Sequence, residues 1–306
     1  MSTIQTTPGR ELKPRRGKKT LYEHLEPWLF LLPALCVFGI FLYFPFFKTL
    51  YLSTFLTNKF GEAKVFYGLQ NYVDILYGKY SHEFWNSIWV TVRFVMFVAS
   101  GGLLIGLCTS LITVNKFPGK AFASAIFAMP IAIASSAAAM SFKMILHKSI
   151  GLLNYMLGTD INWLSDAVWT FPIICILSIW LASGINFIFI GAGLRNIPDE
   201  LYESASIDGG GYWKKLWHIT LPCLSPTLFF QIIINVINAF QSFTLVKLLT
   251  SGGPQETTNL IVYSIYLDAF RNFRFGTAAA RSIVLFVIIM VITLIQFRAE
   301  KRSVHY

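Results

Sequence analysis

Apolar residues in this chain come in long runs, separated by short polar segments. Six runs each reach the roughly 20 mostly apolar residues that a helix needs to cross the hydrocarbon layer of a bilayer. They span residues 27–51, 88–114, 121–146, 168–194, 221–246 and 277–297. The pattern predicts an all-α polytopic membrane protein with six transmembrane helices. The second and third runs are rich in Gly, Ala and Ser. Small residues let membrane helices approach closely, so these two are expected to pack inside a bundle.

Basic residues near the helix ends set the orientation. The N-terminal tail holds Arg10, Lys13, Arg15, Arg16, Lys18 and Lys19, and the loop between the second and third runs holds Lys116 and Lys120. Arg195, Lys214 and Lys215 lie between the fourth and fifth runs, and Arg298, Lys301 and Arg302 follow the sixth. An even number of spans puts all of these on one side, the cytoplasmic one, with both termini. The apolar part of the first run exceeds the roughly 7–15 residues of a signal peptide, and no A-x-A-like site follows it. It therefore reads as a span. The expected layout is a cytoplasmic basic tail over 1–26, disordered over about its first 20 residues, a transmembrane domain over 27–297, and a short cytoplasmic tail over 298–306.

Composition agrees with a lipid solvent. Hydrophobic residues make up 55% of the chain and charged residues 13%. A soluble domain carries about 25% charged residues. The net charge of +10 follows from topology, because no basic stripe interleaved with aromatics points to nucleic acid. Cys36, Cys108, Cys175 and Cys223 stand far apart in or beside apolar runs, and His24, His82, His147, His218 and His305 show no ligand spacing. No metal site is expected.

The loop over 196–220 has its own pattern. Pro198 suits the first turn of a helix, where a missing N–H is harmless. Asp199 and Glu200 suit the positive end of the helix dipole. Leu201 and Ala205 share a face, with Glu203 beside it. Asp208-Gly209-Gly210-Gly211 then ends the helix with residues that tolerate positive φ. A second short helix is expected next, its Trp213, Leu216 and Trp217 forming an apolar stripe. Such a loop can be an amphipathic connector at headgroup depth or a docking element for a cytoplasmic partner.

Glu203-Ser204-Ala205, then Gly209, then Ile219-Thr220-Leu221-Pro222 resembles the EAA loop of permease subunits in bacterial ATP-driven (ABC) importers, and its spelling is similar to the carbohydrate-uptake branch. Ser204 stands where that motif has its first alanine; serine is also small. Pro27-Trp28-Leu29 with Leu32-Pro33-Ala34, Gly68-Leu69-Gln70-Asn71-Tyr72, Thr250-Ser251-Gly252-Gly253-Pro254, and Thr257-Thr258 ahead of Tyr263, Tyr266 and Phe270 match further pieces in the same order. The likeness runs from about Pro27 to the C-terminus and is greatest to the first permeases of multiple-sugar and glycerol-3-phosphate systems. It implies a type I importer permease with a cytoplasmic coupling helix. Glu203, Ser204, Ala205, Asp208, Gly209 and Leu216 would form the contact with an ATPase. The implied partners are a second homologous permease in a heterodimer, two ATPase subunits carrying ATP and Mg2+, an extracytoplasmic solute-binding protein and membrane lipid. The implied location is the bacterial inner membrane. The chain contains no G-x-x-x-x-G-K-[ST] phosphate loop, so no cofactor is expected on it and hydrolysis falls to another polypeptide.

Polar residues inside spans face a bundle interior or an aqueous cavity. In the fifth run Asn235, Asn238, Gln241 and Ser242 follow Gln231 at offsets of 4, 7, 10 and 11, one helical face. They can line a translocation path, where amides suit sugar hydroxyls, or bond between helices. Asn186 and Trp180 are further candidates, Trp180 either stacking on a sugar ring or packing. Arg93 and Arg281 can bind an anionic solute, pair with a partner subunit, or reach to the interface. A membrane enzyme would want His clustered with Asp or Glu, and an ion-driven transporter would want acids within its spans. Neither pattern is found. The substrate stays open among sugar, oligosaccharide and glycerol phosphate.

Overall fold

The structure is a computed structural model that describes residues 21–115 and 117–303. Residues 1–20, with the basic tail, and Lys116 lie outside the described residues, as do the side chains of Pro27, Lys301 and Arg302. The chain forms two units that meet at Lys48 and Thr49. The first holds α1 (Leu21–Phe38), a π-helical turn (Gly39–Tyr43) and the start of α2 (Phe44–Leu52), whose last residues belong to the second unit. The helix begins at Leu21, ahead of the expected start at residue 27.

The second unit continues with a two-stranded antiparallel hairpin, β1 (Phe55–Thr57) and β2 (Ala63–Phe66), with Phe55 opposite Phe66. This hairpin is an addition to the all-helical expectation. Then come α3 (Gln70–Leu76), α4 (Ser81–Val114), α5 (Lys120–Ala132), α6 (Ser135–Ile145), α7 (Leu152–Leu157), α8 (Thr170–Arg195), α9 (Asp199–Ile207), α10 (Tyr212–Lys215), α11 (Leu221–Phe240), α12 (Ile261–Tyr266) and α13 (Phe275–Ser303). Among the described residues five helices are long and apolar enough to cross a membrane, or six if α5 and α6 form one bent span.

Three boundaries differ from the sequence expectation. The third run is not straight: α5 and α6 meet at 103°. Pro130 sits in the last turns of α5 and removes a backbone donor there, and Ile133 and Ala134 are extended. The second short helix of the 196–220 loop is not separate. It is the start of one 29-residue helix, Tyr212–Phe240, with a π-helical turn at Leu216–Thr220. That helix also stops short of residue 246. Gln241–Phe243 break it before the next helical turn, Val246–Thr250.

The main core joins α4, α8, α11, α12 and α13 through Phe94, Val98, Ile174, Phe240, Ile261 and Leu285. At one end of this bundle lies a buried ionic cluster. Arg281 and Asp268 are each 1% exposed, with Arg281 Nε 3.0 Å from Asp268 Oδ2. Arg281 also donates to the Ser264 hydroxyl, and its Nη2 lies 3.3 Å from Glu83 Oε2. Arg274 pairs with Asp268 and stacks over the Tyr80 ring at 4.2 Å. Burial alone would lower the Arg274 pKa, yet Tyr80 and Asp268 together raise it. Of the roles open to Arg281 in the sequence, the structure adds one not foreseen there, an ion pair with Asp268 and Glu83 of the same chain. Asp268→Asn should strand a buried charge and destabilise the fold by about 3–5 kcal/mol. Thermal unfolding of the purified complex checks this, and an Asp268→Asn/Arg281→Met double variant should recover part of the loss.

Candidate functional site

Two places gather the polar residues that the packing does not absorb. The first is α9. Pro198 caps its start in extended conformation, and Asp199 and Glu200 occupy the first turn. Most of its side chains are exposed, including Glu203, Asp208 and the apolar Leu201 and Ile207, the last at 88%. Ser204 turns its hydroxyl onto the Glu200 carbonyl at 2.8 Å. The helix closes where the Gly210 N–H donates to the Ala205 carbonyl at 2.7 Å. Gly209 has φ +71°, and a Cβ there would meet nothing within 4 Å. Glycine is needed for its dihedral, not for space.

α9 is tied to the body at three points. The Tyr202 ring packs on Ile190, Leu194, Ile197 and Leu224. Its hydroxyl lies 3.0 Å from Thr220 Oγ1, in the π-helical turn, and Lys215 Nζ donates to Ser206 Oγ at 2.6 Å. Leu216 is half-buried at the start of that turn, while Trp213 and Trp217 face outward. The result is a short exposed helix fixed to the base of a long apolar one.

The second place is the far end of that long helix. A cavity of about 350 Å³ opens where α11 breaks, between α4, α8 and the kink before α6. Asn235, Asn238 and Gln241 line it, together with Ser242, Ser135 and Ser178. Of these amides, Asn235 is the only one with a hydrogen bond among the described residues: Asn235 Nδ2 donates to Asn186 Oδ1 at 2.9 Å, and Asn186 Nδ2 to Asn235 Oδ1 at 3.2 Å. This reciprocal pair joins α8 to α11. Asn186 itself sits where α4 comes closest: a Cβ on Gly106 would lie 2.4 Å from the Asn186 Cβ.

The remaining sequence candidates stand apart from the cavity. Gln231 is fully buried, and neither of its amide atoms has a partner among the described residues. Trp180 packs edge-on against Phe142 at 5.4 Å. The Arg93 guanidinium lies over the Phe171 ring at 4.9 Å. Ser178 was not singled out from sequence. A lone serine in an apolar helix normally bonds back to its own backbone, yet this hydroxyl is buried with no partner among the described residues.

A family model described as "Binding-protein-dependent transport system inner membrane component" matches residues 101–305. The sn-glycerol-3-phosphate transport system permease protein UgpA of Agrobacterium fabrum is 35% identical over 286 residues, 92% of this chain and 96% of that one. The protein of the same name from Shigella flexneri is 31% identical over 284 residues, 92% and 95% of the two chains. Among solved structures, a chain from a bacterial ABC transporter involved in the import of the acidic polysaccharide alginate superposes with a TM-score of 0.80 at 25% identity, covering 92% of this chain and 98% of that one. A related structure holds the alginate transporter in complex with an alginate pentasaccharide-bound periplasmic protein, again at a TM-score of 0.80 and 25% identity, over 92% and 97% of the two chains.

The close α4–α8 approach that seats Asn186 should not tolerate a methyl group. Gly106→Ala is expected to destabilise by about 1–3 kcal/mol. Gly191→Ala, whose added Cβ would meet only Ser110 Oγ at 3.8 Å, should change little. Melting curves of the two purified variants make the comparison.

Proposed function

This chain belongs to the family of binding-protein-dependent transport system inner membrane components, and from that premise we propose how its parts divide the work of an ABC importer. It is the membrane-spanning permease, which replaces the alternatives of a membrane enzyme or a self-sufficient transporter. On the proposed reading, an extracytoplasmic binding protein delivers a sugar, an oligosaccharide or a glycerol-phosphate-type solute to the outer side. A second permease completes the path as a heterodimer. Two ATPase subunits with ATP and Mg2+ supply the energy, and both termini of this chain lie in the cytoplasm.

The observation that carries the reading is the connection between the two places. α9 presents Glu203, Ser204, Asp208 and Gly209 to the outside, while Ala205 anchors its closing turn. It is bound through Tyr202 and Lys215 to Tyr212–Phe240, the helix whose far end carries Asn238, with Gln241 just beyond it. Motion imposed on α9 by a closing ATPase dimer would reach the cavity without crossing a flexible joint. Such an element, with two arrangements biased by nucleotide, is what alternating access requires. Asn235, Asn238 and Gln241 then form this chain's share of the solute path, and the amides supply donors and acceptors together.

Gly209→Val forces a β-branched residue to positive φ, and Glu203→Lys reverses the exposed charge. Each variant should insert in the membrane normally yet lose most of its co-purifying ATPase, with uptake falling at least tenfold. Pull-down of the ATPase and uptake in cells read the two effects. Wild-type values for both variants would remove α9 from its assigned role.

A further inference from the structure

Lys120 and Arg195 come from different helices and meet at one cavity. Lys120 is the first residue of α5 and Arg195 the last of α8. Both stand at the ends of apolar segments, at the level where hydrocarbon gives way to headgroups. The cavity between them, about 130 Å³, is walled by α4, α5 and α8, and no Asp or Glu lines it. It opens at the α9 end of the bundle, since α9 begins four residues after Arg195. Its wall on α8 lies about a third of a turn around that helix from Ser178, Leu181, Ala182 and Ile185, which line the cavity where α11 breaks. The proposed solute path is on another side of α8.

Both cations have bonding capacity to spare. The Arg195 guanidinium offers five N–H donors and makes no hydrogen bond, ion pair or ring contact among the described residues. Lys120 Nζ donates once, to the Val114 carbonyl at 3.2 Å, which leaves two donors. Ser124, one turn into α5, adds a hydroxyl with no hydrogen bond among the described residues. The other two hydroxyls are spent: Ser110 donates to the Phe187 carbonyl and Thr113 to the Thr109 carbonyl. Towards the middle of α8 the wall turns apolar, with Phe187, Ile188 and the bare backbone of Gly191.

A positive-inside bias places cations near helix ends, but it does not aim two of them into one cavity with free donors and an apolar wall. Like charges so placed repel, and an anion between them removes the repulsion. A soluble anion would leave Phe187 and Ile188 uncovered. A phospholipid uses both halves: its phosphodiester accepts from Arg195, Lys120 and Ser124, and an acyl chain covers the apolar wall. A choline headgroup would bring its own cation to this place, whereas an anionic headgroup such as that of phosphatidylglycerol does not. We infer that the cavity holds the phosphodiester of an anionic phospholipid from the leaflet on the α9 side. Bound there, the lipid ties the start of α5 to the end of α8.

The test uses the whole transporter with its partner subunits, read by native mass spectrometry during titration with phosphatidylglycerol or phosphatidylcholine of matched acyl chains. Phosphatidylglycerol should fill a site that phosphatidylcholine does not. Arg195→Gln and Lys120→Gln should each weaken that binding about fivefold, and Arg195→Lys should retain most of it. Lys214→Gln is the control: Lys214 lies on α10 outside the cavity, and its variant should bind as the wild type does. Arg195 holds nothing in the chain, so Arg195→Gln should melt with the wild type in phosphatidylcholine. Equal binding of the two lipids, or an equal loss in Lys214→Gln, would mean diffuse surface charge and overturn the site. Displacement of phosphatidylglycerol by glycerophosphoglycerol or inorganic phosphate at equal concentration would mean a site for soluble phosphate compounds and overturn the lipid.

Discussion

The hydrocarbon layer offers no hydrogen-bond partners, so polar groups at membrane depth must be satisfied by the chain itself or by what the chain encloses. The bundle is organised around that rule. Asn186 and Asn235 exchange two amide bonds across α8 and α11. Arg281 is paired with Asp268 at one end of the bundle. Asn238, Gln241 and Ser242 gather at the cavity where α11 breaks. Gln231, buried and unpartnered, stands outside that pattern; the structure supplies no physical account of it.

The same rule separates scaffold from machinery. Gly102 and Gly106 let α4 lie against α8 so closely that Ala182 and Asn186 fill the space their side chains would need. That contact fixes Asn186, which in turn fixes Asn235. From there to Tyr212 the chain is a single helix, and Thr220 near its base holds the Tyr202 hydroxyl of α9. The exposed Ile207, Glu203 and Asp208 therefore sit at one end of a stiff member and the open amides at the other. The exposed Leu201 and Ile207 of α9 fit the contact proposed there with the ATPase of an ABC importer.

Much of the span layout was legible in the sequence, because span length is a one-dimensional signal. The α9 motif was legible too, since Pro198, the acids after it and Gly209 each answer a local need of a helix end. What depended on three dimensions was not. Arg281 read as a lone charge because its partner Asp268 lies 13 residues earlier, outside every apolar run. Pro130 was visible, but the 103° bend needed the extended Ile133 and Ala134 as well. The amide stripe on the fifth run assumed one unbroken helix. The helix ends at Phe240; along it Asn235 bonds Asn186 at the cavity, Asn238 and, just past the end, Gln241 line the cavity, and Gln231 is buried apart from it. Ser178 gave no signal, since a serine that bonds its own backbone and one that bonds nothing are spelled alike.

The central claim is that α9 and the helix above it move as one body when nucleotide binds. Pulsed electron–electron distance measurements on the assembled transporter test it most directly. One pair of spin labels at Ile207 and Lys214 reports within the proposed body, and a second pair at Ile207 and Arg298 reports against α13. The account predicts an unchanged first distribution and a shifted second one when ATP is trapped on the ATPases. A first distribution that broadens or shifts while the second stays fixed would mean that α9 swings on its own, and the mechanical link would be contradicted.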